Sequence, residues 1–245
     1  MKAIAADDKP CIFIVRPESK TVQDCRRFEQ AGWRAVPFSP LKLQENFAAL
    51  AVLAEQLSQY QVAFWVSPSA VEIAFSVLQN HDFKDDLLHI AVGEATKAAL
   101  EKQGVKNVLS PSDGKDSEAV LRLSVWQDLP KQSKILIVRG ENGRDFLASR
   151  LHEMDFVVDY ADVYRRVPQN LDWSVLQTAS PVAAYITSAQ MVCLLFEQVP
   201  TQFRQNLQSL LYLTHHSRIV AALYEAGATR VHLVDNANPA AWQQS

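Results

Sequence analysis

The chain has 245 residues, which allows one large domain or two of about 120 residues each, and 48% of its residues are apolar. The net charge of -3 gives no general attraction to nucleic acid or to an anionic membrane, so we expect neither as a partner and any anion site has to be built locally. No apolar stretch approaches the roughly 20 residues needed to span a bilayer.

Two features of the sequence indicate a cytoplasmic protein. The first eight residues, MKAIAADD, lack the apolar core of a signal peptide. Cys11, Cys25 and Cys193 are odd in number, show no CxxC spacing and fall within apolar runs. We therefore expect reduced cysteines that pack in the core.

Short apolar runs alternate with amphipathic helical patterns along the whole chain. This alternation predicts an α/β fold in which helices cover both faces of parallel sheets. The predicted strands lie near residues 11–16, 61–67, 89–93, 134–139, 183–187, 210–214 and 231–234.

Two more extended stretches, residues 33–38 and 157–164, are rich in β-branched and aromatic residues. Each fits either a strand or a linker. Because both follow a helical pattern that occurs twice in the chain, we expect them to form a pair of antiparallel connections between domains. Pro37, Pro40 and Pro168 would end helices near them.

A strand-and-helix pattern in the first half of the chain returns in the second half. The matching segments are 14–18 (IVRPE) with 137–141 (IVRGE), 63–67 (AFWVS) with 184–188 (AYITS), and 98–104 with 221–227. Ordinary α/β units also resemble one another, because strands and helices share their periods. The near-constant spacing, 123 residues for the first and third pairs, favours two like domains with a ligand in the cleft between them.

The sequence lacks the common cofactor and metal motifs. Its seven glycines form neither GxGxxG nor a Walker loop, and its six histidines show no HExxH or paired Cys/His spacing. A GxSxG nucleophile elbow is also absent. We therefore expect no cofactor and no metal.

Polar residues concentrate where predicted strands end and helices begin. In an open parallel sheet these positions gather at the carboxyl edge, where ligands bind. Helix N-termini favour carboxylates and phosphates, and arginines add positive charge, so the arrangement suits a polyanionic ligand. The candidate binding residues are Arg16, Ser67, Ser69, Thr96, Arg139, Asn142, Arg144, Thr187, Ser188, His216 and Arg218.

Simpler interpretations exist for these candidates. Ser69, Thr96 and Ser188 could act only as helix N-caps. The arginines could be solvated or could pair with Glu18 and Glu141, and the two adjacent histidines near residue 216 could belong to a solvated loop. The occurrence of the pattern in both repeats is stronger evidence than any single residue.

Tyr164 is a further candidate. In the segment 160–166, strand alternation predicts that Tyr160, Asp162 and Tyr164 share one face, and packing is the default role for a tyrosine there. On a connection between domains, however, Tyr164 would face the cleft.

Several of these segments, in this order, resemble the uroporphyrinogen-III synthase family. The resemblance covers nearly the whole chain, and it departs from the family pattern at Met154-Asp155, where a glycine often ends the helix. The segments are 15–17 (VRP), 64–71 (FWVSPSAV), 91–100 (AVGEATKAAL), 138–144 (VRGENGR), 161–168 (ADVYRRVP), 186–188 (ITS) and 216–219 (HSRI).

The resemblance implies two flavodoxin-like parallel-sheet domains joined by a two-stranded connector, residues 1–38 with 168–245 and residues 39–167. It implies a monomeric lyase that cyclises hydroxymethylbilane, a linear tetrapyrrole with eight carboxylates, to uroporphyrinogen III without a cofactor. Tyr164 matches the family's cleft tyrosine and is the expected catalytic residue. Transient handover of the substrate from hydroxymethylbilane synthase is expected as well.

Two other functions fit the same pattern. A two-domain binding protein could close on a small polyanion without chemistry. A two-domain glycosyltransferase is the second alternative, although halves of about 120 residues are small for it and no nucleotide-phosphate loop is present.

Overall fold

The computed structural model describes residues 9–16, 18–79, 83, 86–114 and 116–234, without the side chains of residues 18–20. The predicted absence of a signal peptide at residues 1–8, the proline of the VRP segment and the side chain of Glu18 therefore lie outside the described residues.

Contacts divide the chain into two compact units, Met1–Leu43 with Val167–Ser245 and Gln44–Arg166. The sequence-based boundaries fall at 38/39 and 167/168, and the contacts place the division at 43/44 and 166/167. The strands are β1 (Cys11–Val15), β2 (Arg34–Pro37), β3 (Leu41–Glu45), β4 (Val62–Trp65), β5 (Leu88–Ala91), β6 (Lys134–Gly140), β7 (Val157–Pro168), β8 (Ala183–Ile186), β9 (Leu211–Thr214) and β10 (Arg230–Leu233).

Helices follow most of these strands, together with a short 3-10 helix at Leu57–Gln59. They are α1 (Glu18–Gln30), α2 (Phe47–Gln56), α3 (Pro68–Leu78), α4 (Glu94–Lys102), α5 (Ser117–Leu121), α6 (Val125–Asp128), α7 (Phe146–Glu153), α8 (Val175–Thr178), α9 (Ala189–Gln198), α10 (Thr201–Ser209) and α11 (Ser217–Glu225).

Each unit contains one sheet with the strand order of flavodoxin. The first sheet has the order β2-β1-β8-β9-β10, which is 2-1-3-4-5 when its strands are numbered along the chain. The second has the order β5-β4-β6-β7-β3, which is 2-1-3-4 with β3 added at the edge. The predicted α/β fold with two flavodoxin-like sheets is confirmed.

The register of the strands confirms the sequence repeat. Ile12 lies opposite Ala183 in the first sheet, and Ile135 lies opposite Val62 in the second. Ile12 and Ile135, which are 123 positions apart, therefore occupy equivalent positions in the two sheets. So do Val62 and Ala183, which are 121 positions apart. The same offsets relate β1–β2 to β6–β7 and β8–β9 to β4–β5.

Burial on both faces explains the continuous apolar strands. In β1, CIFIV, successive side chains point to opposite faces. Phe13 and Val15 join one core cluster, and Ile12 and Ile14 join another. A parallel strand with helices on both sides therefore needs an apolar residue at every position.

The connection between the units differs from the sequence prediction. Residues 34–37 form β2, which pairs in parallel with β1, so the prediction that 33–38 is a connection is wrong. β7 pairs in parallel with β6 on one side and with β3 on the other. β3 and β7 run antiparallel, because Gln169 N–H donates to Pro40 O (3.0 Å) and Asn46 N–H donates to Val163 O (2.9 Å). The sequence of β3, LKLQE, is mostly polar because this is an edge strand.

The cysteines are only partly as predicted. Cys11 and Cys25 are buried, and burial raises the pKa of the Cys25 thiol to about 11. Cys193 is exposed, because α9 buries the side on which Val192 and Leu195 lie. The prediction of a core residue is therefore wrong for Cys193. Within the described residues, no helix is both long and apolar enough to cross a membrane.

A buried tryptophan–histidine pair lies in the core of the second unit. The indole N–H of Trp65 donates to Nδ1 of His89 (3.2 Å), and the two rings stack with centroids 6.1 Å apart. Burial lowers the pKa of His89 from its ordinary value of 6.5 to about 4. Trp65 can donate only to an unprotonated Nδ1, so the folded protein holds a neutral ring.

Stability should therefore fall in mild acid. The unfolded chain binds a proton at His89 near pH 6.5, whereas the folded chain resists protonation until about pH 4. The contribution of neutral His89 to the free energy of unfolding is complete above pH 6.5 and declines as the pH drops toward 4. We expect a loss of roughly 2 kcal/mol between pH 7 and pH 5, measured by urea unfolding. His89→Gln should remove this slope, and equal slopes for the two proteins would contradict the assignment.

Candidate functional site

The candidate residues of the first unit lie at the carboxyl edge of its sheet. Arg16 follows β1, Thr187 and Ser188 follow β8, and His216 and Arg218 follow β9 or begin α11. β1 and β8 are neighbours with connections that leave in opposite directions, so the crevice beyond them is the switch point where open α/β sheets bind ligands.

The second unit repeats this arrangement around β4 and β6, its own switch point. The structure brings two of the candidates into direct contact: the hydroxyl oxygen of Tyr164 lies 3.5 Å from Oγ of Ser67. The candidates at this edge are Ser67, Ser69, Thr96, Arg139, Asn142, Arg144 and Tyr164.

The N-caps of these helices differ in part from the capping roles that the sequence suggested. Ser67 is the N-cap of α3, and its Oγ accepts the N–H of Ala70 (3.1 Å). Ser69 is a buried residue in the first turn of that helix. Thr96 is likewise inside α4, whose N-cap is Gly93. Ser188 holds the N-cap position of α9 but makes no side-chain cap hydrogen bond.

A bulge in β7 determines which way Tyr164 faces. Arg139 of β6 pairs with Asp162, whereas the next residue, Gly140, pairs with Tyr164, so Val163 is an extra residue. Since Arg139 and Gly140 face opposite sides of the sheet, their partners do too. The prediction that Tyr164 shares a face with Asp162 is therefore wrong.

Tyr164 packs on the side of the sheet where its hydroxyl reaches Ser67. The residue is 4% exposed, and its main-chain oxygen accepts the N–H of Glu141 (2.7 Å). The guanidinium carbon of Arg166 lies 5.9 Å from the centroid of its ring. Packing thus fixes the ring of Tyr164, and its hydroxyl lies at the carboxyl edge of the second sheet.

Arg139 is enclosed by acidic and aromatic side chains on the other face. Its Nε donates to Asp162 (2.9 Å), its Nη1 donates to Asp145 (2.9 Å), and its guanidinium carbon lies 3.7 Å from the centroid of the Tyr160 ring. Burial opposes the charge, but the hydrogen bonds to Asp145 and Asp162 outweigh it and raise the pKa of Arg139. Arg139 therefore pairs with these carboxylates and not with Glu141, and it fixes the loop after β6.

Arg16 is paired in a similar way. Its Nη1 donates to Asp24 (2.6 Å), a buried residue of α1, and Arg27 lies 3.9 Å from the same carboxylate. The hydroxyl of Thr21 donates to the main-chain oxygen of Arg16 (2.9 Å). Asp24 is thus the partner that the sequence interpretation did not find, because an acid on an amphipathic helix is normally solvated.

Tyr185 and His215 form a second pair that the sequence did not reveal. Nδ1 of His215 faces the carbonyl oxygen of Val234 (3.2 Å), so Nδ1 carries the proton and Nε2 accepts the hydroxyl of Tyr185. Burial raises the pKa of Tyr185. The pair anchors the loop that carries His216, and it was missed because a tyrosine inside an apolar strand resembles ordinary core.

The remaining candidates are accessible. Asn142 has a left-handed backbone (φ 60°), which asparagine tolerates better than most residues. Asn142, Arg144, His216 and Arg218 are exposed, as the loop interpretation of His216 predicts. Within the described residues, Arg144 and Arg218 make no ion pair.

An open cavity of about 270 Å³ lies beyond β2 in the first unit. Its lining includes Thr21, Phe38, Ser39 and Gln169. Because β2 is parallel to β1, the cavity opens at the same sheet edge as Arg16.

Two duplicated flavodoxin-like sheets with polar and basic residues at both carboxyl edges define a two-unit α/β protein with a switch point in each sheet, the position where open α/β sheets bind ligands. A family model described as uroporphyrinogen-III synthase HemD matches residues 23–243. The chain belongs to the uroporphyrinogen-III synthase family, which confirms the resemblance.

Individual relatives agree over nearly the full length. The chain is 26% identical to the uroporphyrinogen-III synthase of Escherichia coli K12 over 242 residues, covering 93% of this chain and 96% of the relative. It is 25% identical to that of Salmonella typhimurium, with the same coverage.

Solved structures support the fold. The enzyme of Helicobacter pylori 26695 superimposes with a TM-score of 0.57 at 14% identity, covering 94% of this chain and 93% of that one. A mutant uroporphyrinogen III synthase of the extremely thermophilic bacterium Thermus thermophilus gives 0.53 at 15% identity, with 96% of both chains covered.

Proposed function

We propose that this chain is a cyclising lyase of tetrapyrrole biosynthesis that converts hydroxymethylbilane to uroporphyrinogen III with loss of water. The observation that carries the proposal is the hydroxyl of Tyr164, held 3.5 Å from Ser67 at the switch point of the second sheet. Family membership over residues 23–243 supports the choice of substrate.

The reaction is balanced without a redox partner. The hydroxyl of the substrate takes a proton and leaves as water, and the resulting azafulvenium cation is attacked by the substituted carbon of the terminal pyrrole. The spiro intermediate fragments and recloses with that ring inverted, and loss of one proton from carbon completes the macrocycle. No electrons enter or leave, so the protein has to fold the chain correctly and assist departure of the hydroxyl.

Tyr164 is the residue placed to assist that departure. A phenol O–H can donate a hydrogen bond to the leaving oxygen and so lower the barrier to its departure. The bulge in β7 turns this hydroxyl toward Ser67 and the N-terminus of α3. Ser67 Oγ is the nearby group that orients the phenol.

Substrate carboxylates bind along the two carboxyl edges. The N-termini of α3, α4, α9 and α11 lie there, and each carries roughly half a positive charge from the helix dipole. The proposed contacts come from backbone N–H groups and from Ser67, Ser69, Thr96, Asn142, Arg144, Thr187, Ser188, His216 and Arg218.

Arg16 and Arg139 act on the site through their neighbours. Each guanidinium is already hydrogen-bonded to a carboxylate of its own unit, Asp24 for Arg16 and both Asp145 and Asp162 for Arg139. We assign them the role of holding the loops after β1 and β6, in place of the direct substrate contact expected from the sequence.

The proposal extends to the setting of the enzyme. Each compact unit is one domain, and the protein is a monomer of the cytoplasm that needs no cofactor. Because hydroxymethylbilane closes without guidance to the uninverted isomer I, direct handover from hydroxymethylbilane synthase would protect it. Isomer-resolved chromatography of products made by purified, chelator-treated protein tests the central activity.

A further inference from the structure

We infer that Gly140 is a positioning residue that keeps the ring of Tyr164 against the sheet and its hydroxyl beside Ser67. The inference rests on the catalytic role proposed for Tyr164. It concerns a residue that has no side chain and touches no reacting atom.

The space beside Gly140 is filled by the tyrosine. A Cβ at position 140 would lie 2.4 Å from Cε2, 2.5 Å from Cζ and 2.9 Å from the hydroxyl oxygen of Tyr164. Carbon atoms do not approach this closely. Gly140 is not among the residues with positive φ, so its backbone conformation does not require glycine, whereas the three atoms nearest to an added Cβ all belong to the Tyr164 ring and its hydroxyl.

The ring of Tyr164 cannot move aside without displacing its hydroxyl. Tyr164 is 4% exposed, and its main chain is fixed by pairing with Gly140 and by the hydrogen bond from Glu141 (2.7 Å). A methyl group at 140 would therefore tilt the ring about its own side-chain bonds. The contact of 3.5 Å with Ser67 would be lost first, because the clash includes the hydroxyl end of the ring.

The sequence repeat does not keep this glycine. The position equivalent to Gly140 in the first half of the chain holds Pro17. Both halves build the same strand order around β1 and β6. The glycine thus serves the tyrosine that is packed on it.

The test compares Gly140→Ala, at the end of β6, with Gly143→Ala, which adds the same methyl group three residues further along in the loop after β6. At 143 the nearest atom is Cδ of the flexible Arg139 side chain, 3.1 Å away. Gly140→Ala should lower kcat by about 10- to 100-fold, with KM changed less than about 3-fold, since small misplacements of a reacting group have effects of this size. Gly143→Ala should lose far less.

A second readout is independent of turnover. With 3-fluorotyrosine incorporated at all six tyrosines, the ¹⁹F signal of Tyr164 is assigned by its loss in Tyr164→Phe. That signal should shift in Gly140→Ala and stay in place in Gly143→Ala. An unmoved signal would overturn the inference. So would an undiminished kcat in Gly140→Ala when Tyr164→Phe itself loses turnover.

Double variants separate this inference from the proposed function. Adding Gly140→Ala to Tyr164→Phe should lower kcat no further, and an equal loss in both backgrounds would overturn the inference. If Tyr164→Phe keeps full turnover, the catalytic role fails, while a shifted ¹⁹F signal still supports the placement. If Gly140→Ala does not fold, adding Tyr164→Ala should restore folding, and failure to do so would show that the methyl group meets something other than the ring.

Discussion

Replacing Tyr164 with phenylalanine should lower turnover by about 10- to 1,000-fold, because one positioned hydrogen-bond donor is removed. The midpoint of thermal unfolding should stay nearly unchanged. The ring remains packed on Gly140, and the lost contact with Ser67 is long, at 3.5 Å. Steady-state kinetics with hydroxymethylbilane, together with thermal unfolding of the same preparations, measures both quantities.

Tyr60→Phe is the matched control for this substitution. The hydroxyl of Tyr60 donates to Asp159 (3.0 Å) in the same unit, and burial with this carboxylate raises the pKa of Tyr60 to about 12. Tyr60 precedes β4, so it lies at the amino edge of the sheet. Tyr60→Phe should keep its turnover. Equal kinetics for wild type and Tyr164→Phe would assign Tyr164 to packing alone.

Arg139→Ala should lower the free energy of unfolding by about 2 to 3 kcal/mol. Removing one partner of a buried pair commonly costs about 3–5 kcal/mol. We expect a smaller loss here because Asp145 is largely exposed. The substitution removes the guanidinium from both Asp145 and Asp162, and Tyr160 loses the cation above its ring. Urea unfolding at neutral pH measures the change.

Arg150→Ala provides the comparison. Arg150 pairs with Glu153 on α7, and both side chains are more than half exposed. Surface pairs of this kind contribute about 0–1 kcal/mol. An Arg139→Ala protein as stable as Arg150→Ala, but with a strongly raised KM, would return Arg139 to the direct substrate contact expected from the sequence.

The fold was largely predictable because buried parallel strands have a strong signal. β1 is apolar at every position and β6 is apolar from Ile135 to Val138, and their shared register follows from the repeat of 123 residues. β3 was not predictable in the same way. Three of its five residues are polar and only Leu41 is buried, so its strand conformation depends on β7 beside it.

The site was predictable in its position and not in its contacts. Topology alone sends residues after strand ends to the carboxyl edge, and this located Ser67. Tyr164 was found from its place on an expected connection between domains and from the family resemblance. The direction of Tyr164 depends on one extra residue, Val163, which no period in the sequence reveals. The partners of the arginines, such as Asp24, depend on tertiary packing in the same manner.

The partition between product isomers tests the central claim most directly. Hydroxymethylbilane should be supplied to purified, chelator-treated protein, and the porphyrins formed after oxidation should be separated by chromatography. We expect isomer III to dominate with the native protein, and isomer I to dominate with no protein or with heat-denatured protein. Isomer I as the main product in all three samples would contradict the account and leave a protein that binds a polyanion without catalysing its cyclisation.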